Sequence, residues 1–151
     1  MSKVIGALVV THGDLARELV GAAGRILGPL EHLEAVPIGW DQEVESARGM
    51  IQQAVERVAG AEGVLILTDM FGGTPANLSL SFLESGKVEI VTGVNLPMLI
   101  RFCKMRTEPH SLLEVAEGVW AGGRDHIRVA TDALKPPHPG AIQGSEKGKG
   151  S

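Results

Sequence analysis

The chain has few aromatic residues, a single cysteine and no long run of apolar residues. Aromatic residues make up 3% of its 151 residues, whereas hydrophobic residues make up 44%. An interior of that composition has to be built from the aliphatic side chains of valine, leucine, isoleucine and alanine. The one cysteine, Cys103, excludes an internal disulfide and is typical of a protein from a reducing compartment.

Features that direct a protein to a membrane or to nucleic acid are also missing. The first residues, Met1-Ser2-Lys3, lack the charged and apolar regions of a signal peptide. No apolar run approaches the roughly 20 residues that span a bilayer. The formal net charge is −4 with 14 basic residues, and no basic cluster stands out, so nucleic acid is not an expected partner. We therefore expect a cytoplasmic protein, with one domain over residues 1–134.

Short apolar runs alternate along the chain with amphipathic segments, which is typical of a parallel sheet covered by helices. The predicted fold is α/β, a doubly wound three-layer sandwich with helices on both faces of a mainly parallel sheet. We assume the strand order 2-1-3-4, because right-handed crossovers leave few alternatives. The first four strands are predicted over residues 4–10, 33–38, 63–68 and 87–92.

Glycine, proline and capping residues set the predicted ends of the later elements. The third helix is expected to begin at Thr74 and to end at Ser85-Gly86. A fifth helix is predicted from the capping box at Ser111 to Gly122-Gly123. The segment His126–Ala130 suggests a short last strand whose direction is open. Residues 135–151, rich in proline, glycine, serine and lysine, are expected to be a disordered tail.

The most informative residues follow two of the apolar runs. Thr11-His12-Gly13 comes directly after the first strand, and Asp69 comes directly after the third. Ligands of open α/β sheets bind beyond the carboxyl ends of the strands, where the strand order reverses. A carboxylate that accepts a hydrogen bond from one imidazole nitrogen leaves the other nitrogen free as a nucleophile. These two strand ends therefore predict a histidine that carries a phosphoryl group, oriented by Asp69.

A glycine-rich turn follows the carboxylate. Gly72, Gly73 and Thr74 lead into a helix with Pro75 in its first turn, so free backbone N–H groups are expected to bind phosphate there. Thr74 is predicted to cap this helix and to contact a phosphate oxygen. The remaining histidines show no metal-ligand spacing, so we expect neither a metal nor a cofactor.

Three stretches together resemble the mannose-family enzyme IIA domain of the bacterial phosphoenolpyruvate-dependent sugar phosphotransferase system. The similarity covers about residues 3 to 131. The stretches are Thr11-His12-Gly13, Asp69-Met70-Phe71-Gly72-Gly73-Thr74-Pro75-Ala76-Asn77 and Gly93-Val94-Asn95-Leu96-Pro97-Met98-Leu99.

The resemblance implies that His12 accepts phosphate from the phosphocarrier protein HPr and donates it to a separate IIB protein. It also implies a homodimer in which the segment His126–Ala130 is exchanged between subunits, and an indirect association with membrane IIC and IID components. Asn95 has two open roles, as a helix cap or as a direct contact. Met70 and Phe71 are either exposed for a partner or buried against the sheet. The residues expected to contact partners are Thr11, Met70, Phe71, Asn95 and Pro97.

Three other functions are alternatives to sugar uptake. The same phosphohistidine is equally suited to a regulatory module that signals to a partner without moving sugar. The phosphotransfer subunit of dihydroxyacetone kinase is a related possibility, but the Phe71–Pro75 turn favours the mannose type. A histidine phosphatase is disfavoured, because Thr11 stands where such enzymes have an arginine.

Asp14 is expected to cap the first helix and to point away from the site.

Overall fold

A computed structural model describes residues 4–135 of the chain. The predicted tail, apart from Lys135, lies outside the described residues. The strands are β1 (Gly6–His12), β2 (Leu33–Ile38), β3 (Val64–Thr68) and β4 (Val88–Thr92). The helices are α1 (Leu15–Leu27), α2 (Val44–Val58), α3 (Gly73–Leu80), α4 (Leu96–Met105), α5 (Leu112–Asp125) and α6 (Ala130–Ala133).

The strands form a parallel sheet in the order β2-β1-β3-β4, which confirms the predicted order. In the register of β1 with β2, His12 lies opposite Ile38. In the register of β1 with β3, Val10 lies opposite Thr68. The carboxyl ends of these three neighbouring strands therefore lie together at one edge of the sheet. The strand order reverses between β1 and β3, so a ligand crevice is expected there.

Successive side chains of the central strands point to opposite faces, and each face is covered by its own helices. Ala7 and Val9 of β1 pack with α1, α4 and α5. Leu8 and Val10 pack with α2 and α3. Most of these buried side chains are aliphatic, as the composition predicts, and Phe102 is the large aromatic residue among them. Full burial of each valine, leucine, isoleucine or phenylalanine side chain contributes about 1.5–3 kcal/mol.

Helix α5 extends beyond the glycine pair at which it was predicted to end. Its capping box, in which Ser111 and Glu114 each bond the other's backbone N–H, is present as expected. Gly122 and Gly123 are instead buried helical residues. A Cβ atom at Gly122 would lie 3.1 Å from Nε of Arg101, and one at Gly123 would overlap Met98. The prediction was wrong because these glycines allow α4 and α5 to approach each other closely, rather than ending a helix.

Helix α3 is shorter than predicted and begins one residue earlier. It runs from Gly73 to Leu80 rather than from Thr74 to Ser85. Beyond it the backbone tightens into turns, because Phe82 N–H donates to the carbonyl of Ser79 at 2.9 Å. The Ser81 hydroxyl also donates to the carbonyl of Leu78 at 2.6 Å. Such bonds to a residue three positions back are typical of a helix end.

The segment His126–Ala130 does not form the predicted last strand within the described chain. It continues from α5 into irregular backbone, and α6 begins at Ala130. Ile127 and Val129 are exposed, and the N–H of Ile127 donates to the carbonyl of Arg124. A strand needs a neighbouring strand to pair its backbone groups, and this segment pairs with none within residues 4–135. Exchange of the segment between subunits stays a prediction.

None of the helices within residues 4–135 combines the length and the apolar character that crossing a membrane requires.

Candidate active site

His12 and Asp69 contact each other at the carboxyl ends of β1 and β3. Oδ2 of Asp69 lies 2.8 Å from Nδ1 of His12 and also accepts the backbone N–H of His12 at 2.9 Å. One carboxylate oxygen therefore holds both the backbone and the ring of the histidine. Their side chains are 27% and 12% exposed, respectively. Since the carboxylate accepts the hydrogen of Nδ1, a neutral imidazole in this arrangement has its lone pair on Nε2.

The other oxygen of Asp69 is unusual for a buried group. Oδ1 is buried and has no hydrogen-bond partner within the described chain. Leaving such an oxygen unpaired is unfavourable, and such groups are found at functional sites. A carboxylate that is not neutralised by other partners stabilises positive charge on the adjacent imidazole. The pair is thus suited to a reaction in which the ring becomes cationic.

Gly73 faces the free nitrogen of the imidazole. A Cβ atom at Gly73 would lie 3.1 Å from Cε1 and 3.2 Å from Nε2 of His12. Gly73 has a φ of 83° and Gly72 a φ of 96°, so both adopt a conformation that favours glycine. The turn thus leaves space beside Nε2 that any side chain would fill.

The first turn of α3 follows this space directly. Gly72 occupies the N-cap position and no side chain caps the helix, so the predicted capping role of Thr74 is wrong. The helix begins one residue too early for Thr74 to be the cap. Pro75 lies in the first turn, as predicted. The uncapped N–H groups of Gly73 and Thr74 are donors to which an anion can bind.

Thr11 lies beneath the site rather than on its surface. Its side chain is fully buried, and its hydroxyl accepts the N–H of Ala16 at 2.7 Å. Burial contradicts the expectation that Thr11 contacts a partner.

Asp14 occupies the N-cap position of α1 but makes no capping hydrogen bond, and it pairs with Arg17 at 3.0 Å instead. The start of α1 is therefore held by Thr11 and not, as predicted, by Asp14.

Asn95 uses both ends of its side chain within the fold. Its carbonyl oxygen accepts the N–H of Met98 at 3.1 Å and so caps α4. Its amide donates to the carbonyl of Gly123 at 3.1 Å and so connects α4 to α5. Of the two roles that the sequence left open for Asn95, helix cap or direct contact, the structure shows the helix cap. Pro97 lies nearby, half-buried in the first turn of α4.

The turn after Asp69 presents two large apolar side chains to solvent. Met70 is 52% exposed and Phe71 is 80% exposed. Of the two alternatives left open by the sequence, burial against the sheet is therefore wrong.

Trp40 is a site residue that sequence reasoning missed. It follows β2, and its ring stacks on the imidazole of His12 with centroids 5.4 Å apart and planes 26° apart. The signal was present, because the end of β2 lies at the same sheet edge as His12 and the chain has only two tryptophans. Sequence reasoning assigned Trp40 only to a loop.

Cys103 and His110 lie outside this cluster. Burial raises the pKa of the Cys103 thiol, and the positive charge of Arg106 partly offsets that effect. Cys103 packs against the interior, as predicted. His110 lies between two carboxylates, 3.0 Å from Glu108 and 3.9 Å from Glu114. Neither side chain adds a functional group to the site around His12.

Comparison with known proteins identifies the family of the chain. The family model described as "PTS system fructose IIA component" matches residues 6–119. The chain belongs to the mannose-family IIA domains of the sugar phosphotransferase system. This IIA domain is 29% identical over 133 residues to the fructose-specific EIIA component of Bacillus subtilis, covering 87% of this chain and 90% of that protein.

A second relative is longer than this chain. The match with the mannose-specific EIIAB component of Escherichia coli is 30% identical over 131 residues, covering 83% of this IIA domain and 39% of the relative. Among solved structures, a IIA protein associated with the fucose utilization operon of Streptococcus pneumoniae superimposes with a TM-score of 0.77 at 24% identity. That superposition covers 89% of this chain and 98% of the other, and it supports the fold.

Proposed function

We propose that this IIA domain accepts a phosphoryl group from phospho-HPr on Nε2 of His12 and donates it to a IIB partner for sugar uptake. The observation that carries the proposal is the 2.8 Å contact between Nδ1 of His12 and Asp69. It leaves Nε2 as the free ring nitrogen, beside the glycine turn. The chain is thus a phosphotransferase component with a phosphohistidine intermediate.

The transfer step needs no group beyond the two proteins. The lone pair of Nε2 attacks the phosphorus of the donor phosphohistidine, the new N–P bond forms, and the donor N–P bond breaks. The donor imidazole leaves with that electron pair. The hydrogen on Nδ1 of His12 stays in its bond to Asp69, so the phosphorylated ring is cationic and the carboxylate stabilises it. Donation to the IIB partner is the reverse of this step.

The glycine turn supplies the phosphate-binding groups in this proposal. Gly72 and Gly73 let the backbone come close to the phosphoryl oxygens, and the N–H groups of Gly73 and Thr74 donate to them. The positive end of the α3 dipole faces the same position. These donors favour the added negative charge without a bound cation.

Met70 and Phe71 form an exposed apolar surface beside His12, to which we assign docking of HPr and then of the IIB protein. Both partners have to bring a phosphate acceptor or donor to the same nitrogen, so they use this surface in turn. We assign Pro97 to the border of this docking surface. Asn95 acts there through the helix that it caps.

The homodimer of the proposal is supported by the free edge of the sheet. Strand β4 ends the strand order, so no other strand pairs with its outer edge within residues 4–135, where only Val88 is bonded, to Glu84. Ile127 and Val129 are exposed at alternate positions of the segment proposed to pair with it. The domain acts in the cytoplasm and reaches the membrane only through IIC and IID components.

The proposal is tested by following phosphate onto and off the chain. Phosphoenolpyruvate with labelled phosphate, enzyme I and HPr are expected to label the unsubstituted protein and the control His110→Gln, but not His12→Gln. Added IIB protein is then expected to remove the label. Label on the His12→Gln variant would contradict the assignment. Label that stays on His12 with every IIB protein would instead favour the regulatory alternative.

A further inference from the structure

Trp40 covers one face of the histidine that the proposed function uses. Trp40 as a residue is 78% exposed, yet the centroid of its ring lies 5.4 Å from the imidazole centroid in a stacked arrangement. Gly13 lies below the indole, where a Cβ atom would be 3.0 Å from Nε1 of Trp40. An exposed tryptophan buries little surface of its own, so its contact with His12 is the interaction that distinguishes it from an ordinary loop residue.

We propose that Trp40 is a positioning residue for phosphoryl transfer, which holds the plane of the His12 ring and stabilises the cationic phosphorylated ring. The inference rests on the proposed role of His12 as phosphate acceptor. Trp40 acts through the imidazole and contributes no atom to the bonds that form or break.

The positioning part follows from the way in which the ring is held. The hydrogen bond to Asp69 fixes Nδ1, but it leaves the ring free to tilt about that bond. Trp40 lies against one ring face, and Gly73 is close to the edge that carries Cε1 and Nε2. Together these three contacts restrict tilting and keep the lone pair of Nε2 directed beside the glycine turn.

The electrostatic part follows from the charge of the phosphorylated ring. With phosphorus on Nε2 and hydrogen on Nδ1, the imidazole carries a positive charge. The face of an indole ring is negative and attracts a cation, more strongly than the face of a phenyl ring does. Trp40 therefore stabilises the phosphorylated form more than the free, neutral form of His12.

The equilibrium of transfer isolates this effect. The ratio of phosphorylated IIA domain to phosphorylated HPr at equilibrium depends only on the end states, so a lost docking contact does not change it. We expect Trp40→Leu to lower the equilibrium constant about two- to fivefold and Trp40→Phe to give an intermediate value. Trp120→Phe, which changes the other tryptophan, is the matched control and is expected to leave it unchanged.

Fluorescence supplies a second readout. In a Trp120→Phe background Trp40 is the only indole, and phosphorylation of His12 is expected to change its emission. An equilibrium constant for Trp40→Leu equal to that of the unsubstituted protein would overturn the inference, as would emission that phosphorylation does not change. Both results require that the unsubstituted protein is phosphorylated. If it takes no phosphate from phospho-HPr, the proposed function itself fails, and with it this role of Trp40.

Discussion

Asp69 holds His12 with a single carboxylate oxygen, which makes the charge of that group testable. Asp69→Asn keeps an oxygen that can accept both N–H groups of His12 but removes the negative charge. Loss of a charge-assisted hydrogen bond to the cationic ring is expected to slow phosphorylation about 10- to 100-fold. The measurement is the initial rate of label transfer from phospho-HPr.

The fold of this variant is expected to persist, because the amide has the size of the carboxylate and Oδ1 of Asp69 has no partner to lose within residues 4–135. Circular dichroism and thermal unfolding provide the control. A transfer rate equal to that of the unsubstituted protein would remove Asp69 from the mechanism.

Gly73 tests the space beside Nε2. Gly73→Ala places a methyl group 3.2 Å from Nε2 of His12 in a backbone conformation with a φ of 83°. We expect phosphorylation to be largely lost and the free energy of unfolding to fall by about 1–2 kcal/mol. Label incorporation and urea unfolding measure the two effects.

Gly86→Ala is the matched control, since Gly86 has a φ of 78° and no atom within 4 Å of an added Cβ. The Gly86→Ala variant has the same backbone strain at a position outside the site. We expect it to lose stability but to be phosphorylated normally. Normal phosphorylation of Gly73→Ala would show that the space beside Nε2 is not needed.

Sequence reasoning reached the polar part of the site and missed its aromatic part. His12, Asp69 and the glycine turn follow predicted parallel strands directly, so the topology alone brings them together. Trp40 lies beyond the end of β2, and its stacking depends on the conformation of a loop. The sequence places Trp40 at the sheet edge of His12, but it does not show whether the indole stacks on the imidazole or points into solvent.

At the scale of elements, glycines within helices have two different effects. Gly123 is buried in α5 against Met98 and Asn95, whereas Gly49 in α2 has no atom within 4 Å of an added Cβ. Gly123→Ala is expected to lower the free energy of unfolding by about 1–3 kcal/mol through overpacking. Gly49→Ala is expected to raise it by about 0.5–1 kcal/mol through helix propensity.

Chemical denaturation of the two variants measures both changes. If Gly123→Ala were as stabilising as Gly49→Ala, the close approach of α4 and α5 would not depend on glycine. The mistaken end of α5 has the same origin, since a glycine that ends a helix and one that lets another helix approach look identical in sequence.

At the scale of the whole molecule, the strand order was predictable because strand spacing and right-handed crossovers leave few arrangements. The conformation of the final segment, His126–Ala130, was not predictable. Its alternating apolar residues form a strand only if the edge of another strand is available for pairing. If His126–Ala130 pairs with the edge of a second subunit, its apolar residues become buried on assembly.

The proposed homodimer is therefore expected to depend on Ile127. Light scattering of the unsubstituted protein is expected to give twice the mass of one chain. Ile127→Asp places a charge at a position that is exposed in the single chain, so it is expected to leave the fold intact and to shift the protein towards monomer. Ile26→Asp, at another exposed position, is the control and is expected to remain dimeric. A monomeric unsubstituted protein would contradict the proposed exchange.

The most direct test of the central claim is to identify the atom that carries the phosphate. After phosphorylation by phospho-HPr, peptide mapping gives the residue, and phosphorus NMR distinguishes the two ring nitrogens of a phosphohistidine. We predict a single phosphohistidine at His12, with phosphorus on Nε2, because Nδ1 is held by Asp69 at 2.8 Å. Phosphate on Nδ1 of His12, or on any other residue, would contradict this account.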